Sequence, residues 1–145
     1  MRDRPKVCRH LHLPVQSGPT STLARMRRRH TREEYLDLVH RVRAAIPDIA
    51  LSTDVIVGFP GETAEEFEDT LSLARLVRYH SMFSFKYSER PNTLASKRQP
   101  DDVPAIEKTR RIVSLQQLQK DLQEEIHRGS IGATVEVLVD SRSRK

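Results

Sequence analysis

One carboxylate, Asp54, lies inside an apolar run over 51–57 that ends in a Gly58/Pro60/Gly61 turn, and Thr63 follows with Glu66 three residues on. That order predicts a strand, a tight turn and a helix opened by a capping box. Parallel-sheet proteins bind ligands at strand–turn–helix joints of this kind, so a carboxylate there is well placed for chemistry. The glycines alone decide little, because strand-to-helix turns need glycine for backbone reasons. His10 and His12 alternate on another run and so share a strand face, as metal ligands can. No carboxylate or third histidine stands at a fitting spacing, so no metal is expected there. Cys8 is the single cysteine, which rules out an intramolecular disulfide and a cysteine-only metal site within the chain. The remaining chemistry is cationic. Arg25, Arg27, Arg28, Arg29 and Arg32 cluster with His30, and Arg142, Arg144 and Lys145 close the chain. Such groups suit phosphate contacts, and they equally suit a solvated helix end and tail.

Length and composition bound these readings. At 145 residues the chain has the size of one domain and can bury a core. Twenty-five Lys and Arg against 20 Asp and Glu give a net charge of +5, which is compatible with a nucleic-acid partner and proves nothing more. No apolar run approaches membrane-spanning length and the N-terminus lacks the apolar core of a signal peptide, so a soluble, cytoplasmic setting is the default expectation. The chain stops just after the strand-like Val135-Glu-Val-Leu-Val139, and both ends read as those of a fragment.

The elements that must position Asp54 follow from periodicity. Residues 9–15 alternate, with Leu11, Leu13 and Val15 on one face and His10, His12, Pro14 and Gln16 on the other. A turn at 17–20 leads to a short helix over 21–28. Thr31, with Glu34 at the capping-box position, opens a second helix whose stripe is Tyr35, Leu38, Val39, Val42 and Ile46. In the strand at 51–57, Leu51, Thr53, Val55 and Val57 oppose Ser52, Asp54, Ile56 and Gly58. The next helix turns Phe67, Leu71, Ala74 and Val77 inward and carries its acids in the first turns, where they suit the dipole. A third strand over 82–88 sets Phe83, Phe85 and Tyr87 against Ser84, Lys86 and Ser88. A loop at 89–102, a long helix over 104–127 with no visible chemistry, and a separate β-element at 133–139 complete the chain.

Strand–helix–strand–helix–strand predicts an α/β fold with a parallel sheet and right-handed crossovers. Parallel strands covered on both faces are nearly continuous apolar runs. Here His12/Gln16, Ser52/Asp54 and Ser84/Lys86 give each strand a polar face, which predicts a barrel or open barrel with a solvated lumen. An amphipathic sheet with one open side is the alternative.

Four segments in collinear order carry a family resemblance. They are His12-Leu-Pro-Val-Gln-Ser-Gly18, Met26-Arg-Arg-Arg-His-Thr-Arg-Glu-Glu-Tyr35 preceded by Leu23, Asp54-Val-Ile-Val-Gly-Phe-Pro-Gly-Glu-Thr63, and Phe83-Ser-Phe-Lys-Tyr-Ser88. Together they resemble the radical S-adenosylmethionine methylthiotransferases, and within them the tRNA-modifying branch that makes 2-methylthio-N6-isopentenyladenosine next to the anticodon. Relatives that modify a ribosomal protein tend to have a Gln-His-Ala-type segment where this chain has Gln16-Ser17-Gly18, and they lack the Phe-Ser-Phe-Lys-Tyr run. The resemblance implies that residues 1–128 are the C-terminal part of a radical-SAM (βα) partial barrel with a trailing long helix. Residues 129–145 would then begin a TRAM β-barrel.

The same resemblance implies the site. Gln16 would hydrogen-bond S-adenosylmethionine, Arg28 would pair with its methionine carboxylate, Asp54 would accept from the ribose hydroxyls, and Gly58 and Phe59 would border the adenine. Arg27 or Arg29 can take the place of Arg28 in this reading. Arg27, Arg29, Lys86, Arg142, Arg144 and Lys145 are the expected RNA contacts. The whole enzyme uses two [4Fe-4S] clusters and an electron donor, and the cofactor's 5′-deoxyadenosyl radical removes hydrogen from C2 of adenine before sulfur insertion. The family's cluster cysteines are missing here, so this chain ligates neither cluster and is expected to be inactive alone. A methylthiotransferase acting on a ribosomal protein, a non-catalytic RNA-binding remnant, and a nucleotide-binding sheet of other chemistry remain as alternatives.

Overall fold

The structure, a computed structural model, describes residues 1, 3, 4, 6–89, 100–134 and 141–142. In chain order the elements are β1 (His10–His12), α1 (Thr20–Arg25), α2 (Arg32–Ala45), β2 (Ala50–Val57), α3 (Ala64–Val77), β3 (Ser81–Lys86) and α4 (Ala105–Arg128). The three strands form one parallel sheet in the order β1-β2-β3. The α/β parallel architecture is thus as expected.

Local chemistry explains the helix starts. Thr31 accepts from the Glu34 N–H and Glu34 returns a bond to the Thr31 N–H; Thr63 and Glu66 do the same for α3. Each capping box satisfies two of the amides that a helix start leaves unpaired. The core joins Val15, Leu51, Val55 and Val57 of the sheet layer to Tyr35 and Val39 of α2, Phe67, Leu71 and Ala74 of α3, and Leu115 of α4. Within it Tyr79 donates to the Tyr35 hydroxyl at 2.8 Å, and Tyr35 donates to the Leu13 carbonyl at 2.8 Å. Burial pushes both phenols above their ordinary pKa, against the pull of the Arg43 charge, so both remain neutral donors.

Several boundaries differ from expectation, each for a local reason. β1 is shorter than 9–15 because Pro14 has no N–H for the ladder. The chain nevertheless follows β2, with Leu13 N–H on the Ser52 carbonyl and an isolated bridge at Gln16↔Val55. α1 stops at Arg25 because Arg27 turns left-handed (φ 57°), and the Arg27 and Arg28 N–H groups close back onto the Ala24 and Leu23 carbonyls. In α2, Leu38 is exposed and Leu36 packs on the core instead.

The face expected for β3 is corrected outright. The register pairs Asp54 with Phe83 and Ile56 with Phe85, so these aromatics share the face of Asp54. Ser84 and Lys86 lie on the opposite side, under α4: Gln116 donates to the Ser84 hydroxyl at 3.3 Å and Lys86 to the Thr109 hydroxyl at 3.4 Å. The open face is therefore polar on β1 and β2 but aromatic on β3, with Phe83 and Phe85 each about half exposed. Alternation within one strand does not say which face a helix will cover.

Most of the loop expected at 89–102, Val135 to Val139 of the expected β-element, and Arg144 and Lys145 lie outside the described residues. Among the described residues no helix is long and apolar enough to cross a membrane.

Candidate functional site

Asp54 stands on the central strand, and the register sets its neighbours. His12 lies beside Ser52 across the β1–β2 ladder, with Nδ1 2.9 Å from the Ser52 hydroxyl and Nε2 3.4 Å from the Asp54 carboxylate. The Phe83 ring meets His12 edge-on at 6.1 Å. Asp54 is one-third exposed, which leaves its carboxylate reachable from the open face. Lys86 is on the other side of the sheet, and the local partner of Asp54 is His12. Sequence reading had treated His12 only as a possible metal ligand. The signal it lacked was the β1–β2 register. Among the described residues no group of three His, Cys, Asp or Glu side chains could hold a metal.

Gln16 reaches the same region by a different route. Its N–H donates to the Asp54 carbonyl and its carbonyl accepts from the Ile56 N–H, both at 2.9 Å. It is buried, and its backbone is left-handed at φ 76°, a conformation that costs a non-glycine residue about 1 kcal/mol or more. Its side-chain amide makes no hydrogen bond among the described residues.

The turn after β2 is locked from behind. Gly58 has φ 69°, and its N–H donates to Glu62 Oε2 at 2.6 Å. The Glu62 side chain is fully buried and is met by Arg111 of α4, whose Nη1 donates to Glu62 Oε2 at 2.7 Å and to the Glu62 carbonyl at 2.9 Å. Burial pushes the Glu62 carboxyl upward, against the pull of the Gly58 N–H and Arg111. Lys108 of α4 bonds both Asp101 oxygens at 2.5 Å and lies over the Tyr87 ring, while Asp102 accepts from the Gly61 N–H at 2.7 Å. Phe59 is buried with its ring edge-on to Tyr87 at 5.1 Å, so the turn offers backbone rather than the Phe59 ring to a ligand. The long helix, silent in the sequence, supplies these clamps.

A second ion pair ties α1 to α3. Arg25 donates to both Glu66 oxygens, at 2.9 and 2.5 Å, and Ser21 donates to one of them. Burial alone would raise the Glu66 pKa; the Arg25 and Ser21 bonds overcome it and hold the carboxyl at about 2. A carboxylate depressed in the fold adds stability above its unfolded value of 4.5, and that stability drains away as pH falls toward 2. Acid unfolding followed by circular dichroism should therefore steepen below pH 4.5, and Glu66→Gln should flatten that slope. An unchanged slope in the variant would contradict the assignment.

The pair leaves the next three arginines free. Arg27, Arg28 and Arg29 are exposed and make no side-chain hydrogen bond or ion pair among the described residues. Arg142 is exposed as well. The structure thus bonds Gln16 to Asp54 and Ile56 on the strand that leads into the Gly58 turn, and gives Arg28 no side-chain partner among the described residues. Because Arg27 is left-handed, Arg27→Gly should remove a charge while holding or raising stability by up to about 1 kcal/mol, read from a urea midpoint. A lower midpoint would show a packing role for the arginine.

The sequence profile of the Radical SAM superfamily matches residues 1–74, half of the chain. The chain belongs to the radical SAM superfamily. It is also similar to proteins named tRNA-2-methylthio-N(6)-dimethylallyladenosine synthase. The protein of Chlorobium limicola is 50% identical over 145 residues, all of this chain and 33% of that protein. That of Phocaeicola vulgatus is 48% identical over 143 residues, 99% of this chain and 31% of its own length. That of Carboxydothermus hydrogenoformans is 48% identical over 139 residues, 96% of this chain and 31% of its own length. The chain spans about a third of the length of the curated relatives it matches.

Two groups define radical SAM chemistry, and they fit this chain unequally. A [4Fe-4S] cluster that leaves one iron open needs three thiolates. This radical SAM chain has only the exposed Cys8, so its residues do not fit the cluster. S-adenosylmethionine is a polar nucleoside, and a reachable carboxylate, an uncommitted amide and a glycine turn at a strand end fit it.

Proposed function

We propose that this chain is the part of a tRNA methylthiotransferase that holds the ribose and adenine end of S-adenosylmethionine for methylthiolation at C2 of N6-isopentenyladenosine beside the anticodon. The observation that carries the reading is the pairing of Gln16 with Asp54 on the central strand, just before the glycine turn. Relatives named for this reaction, similar along the whole chain, support it. S-adenosylmethionine supplies radical chemistry when bound beside an iron–sulfur cluster, and the thiolates of that cluster come from residues other than these. What this chain does is bind and orient. Asp54 accepts from ribose hydroxyls, the Gln16 amide bonds the cofactor, and the 58–61 backbone borders the adenine. Arg28 takes the methionine carboxylate once the rest of the barrel is in place.

The wider assignment follows the same line. The sheet is the C-terminal part of a partial barrel, and the residues beyond α4 begin a TRAM domain. The protein acts in the cytoplasm on a tRNA anticodon stem-loop with an electron donor. Arg27, Arg29, Lys86, Arg142, Arg144 and Lys145 meet RNA phosphates, and the unpartnered Arg27 and Arg29 favour that part of the reading. Replacing both with glutamine should flatten the salt dependence of tRNA binding by about two phosphate contacts; an unaltered slope would exclude them.

The deciding measurement is cofactor affinity in the full-length protein. Asp54→Asn keeps shape and removes charge, and it should weaken S-adenosylmethionine binding about tenfold or more, the loss of one charge-assisted bond. Equal affinity in variant and parent would end the proposal.

A further inference from the structure

Arg111 is buried on α4, far along the chain from the turn it serves. One guanidinium edge bonds Glu62 twice, at its carboxylate (2.7 Å) and its carbonyl (2.9 Å), and Nε bonds Glu107 at 2.8 Å. Its guanidinium also lies over the Phe67 ring at 5.6 Å. The Glu62 oxygen that takes Arg111 also takes the Gly58 N–H, while Oε1 is buried with no partner among the described residues. The Glu62 carboxylate therefore has one task in this structure: to connect α4 to the left-handed glycine that ends β2. A purely packing contact would not need a fully buried, half-satisfied charge pair, which is costly to desolvate.

We propose that Arg111 is a positioning residue for the cofactor, acting through Glu62 on the Gly58 N–H, so that α4 sets the shape of the 58–61 turn. This rests on the reading of that turn as the border of the S-adenosylmethionine site. Fixing backbone groups in advance raises affinity by removing the cost of ordering them on binding. Arg111 touches no ligand in this scheme; its effect is on how well the turn is formed when the ligand arrives.

The test is made in the full-length, cluster-loaded protein by equilibrium dialysis with S-adenosylmethionine and by steady-state kinetics. Arg111→Met should raise both Kd and KM for S-adenosylmethionine about tenfold and leave KM for tRNA unaltered. Arg111→Lys, reaching Glu62 with a single bond, should raise Kd about threefold with kcat retained. A merely structural role would lower kcat by reducing the folded fraction while KM stayed put. Parental Kd in Arg111→Met overturns the proposal, as does parental Kd in Arg111→Lys should the Met variant not fold. Asp54→Asn run alongside separates the two claims. Loss of affinity there with none at Arg111 rejects the positioning role alone; no loss at Asp54 rejects the site.

Discussion

Gly18→Ala should be among the most destabilising single changes in this fold. A Cβ at that position would lie 2.4 Å from Thr70 Cα, 2.5 Å from Thr70 N and 2.6 Å from the Asp69 carbonyl. All three are backbone atoms of α3, so no side chain can swing aside to make room. The Gly18 N–H also donates to Thr70 Oγ1 at 3.0 Å, and Arg32 bonds the Gly18 and Asp69 carbonyls, so separating the segments breaks several bonds at once. Overpacking against movable side chains costs about 1–3 kcal/mol, and a fixed helix backbone should take the loss to the top of that range or beyond. Domains of this size hold about 5–15 kcal/mol in all. Urea unfolding of the full-length variant should show a midpoint far below the parent's. A midpoint within experimental error of the parent would mean that α3 and the 16–18 segment are not packed as described.

Arg111→Met should be nearly as severe and should carry a pH signature. Removing one partner of a buried pair strands the other charge, at a cost of about 3–5 kcal/mol. Here the stranded group is Glu62, whose carboxyl burial already pushes upward; without Arg111 it rises further. A carboxyl whose folded pKa lies above its unfolded value of 4.5 favours the folded state as it gains its proton. The deficit of Arg111→Met relative to parent should therefore grow as pH rises above 4.5. Adding Glu62→Gln removes the stranded charge, keeps an acceptor for the Gly58 N–H, and should recover much of the loss. A pH-independent deficit, or no recovery in the double variant, would show that the stranded carboxylate is not the cause.

How much of this was legible beforehand depended on the range of the interaction. Both capping boxes, the parallel strand–helix order and the inward stripe of Phe67, Leu71, Ala74 and Val77 follow from local rules, and the structure has them. Asp54 and the glycine turn were visible because a carboxylate in an apolar run and glycines at its end are local too. The face of β3 was not, since a parallel register is set between strands and not along one. Ser84 and Lys86 read as lumen residues until α4 was seen to lie over them. The place of His12 beside Asp54 was hidden for the same reason, and so was the grip of α4 on the turn, because Arg111 and Glu62 meet across the fold. The left-handed Gln16 and Arg27 carry no glycine to announce them. Of the sequence-derived site, Gln16 is bonded to Asp54 on the strand that runs into Gly58, and Arg28 has no side-chain bond among the described residues.

The place of β2 in the sheet has a kinetic consequence. It is the only described strand bonded on both sides, so freeing all of its amide protons requires both ladders to part. Openings of a fold span a wide range of free energies, and a doubly flanked strand belongs at the high end. In deuterated water the amides from Leu51 to Val57 should be among the last to exchange, whereas that of Arg29 should exchange within the earliest time points. The carboxylate proposed to grip the cofactor would then ride on the slowest-breathing strand of the molecule. The arginines proposed to meet RNA would ride on its fastest-relaxing bend, free to adapt to a partner whose shape they do not dictate.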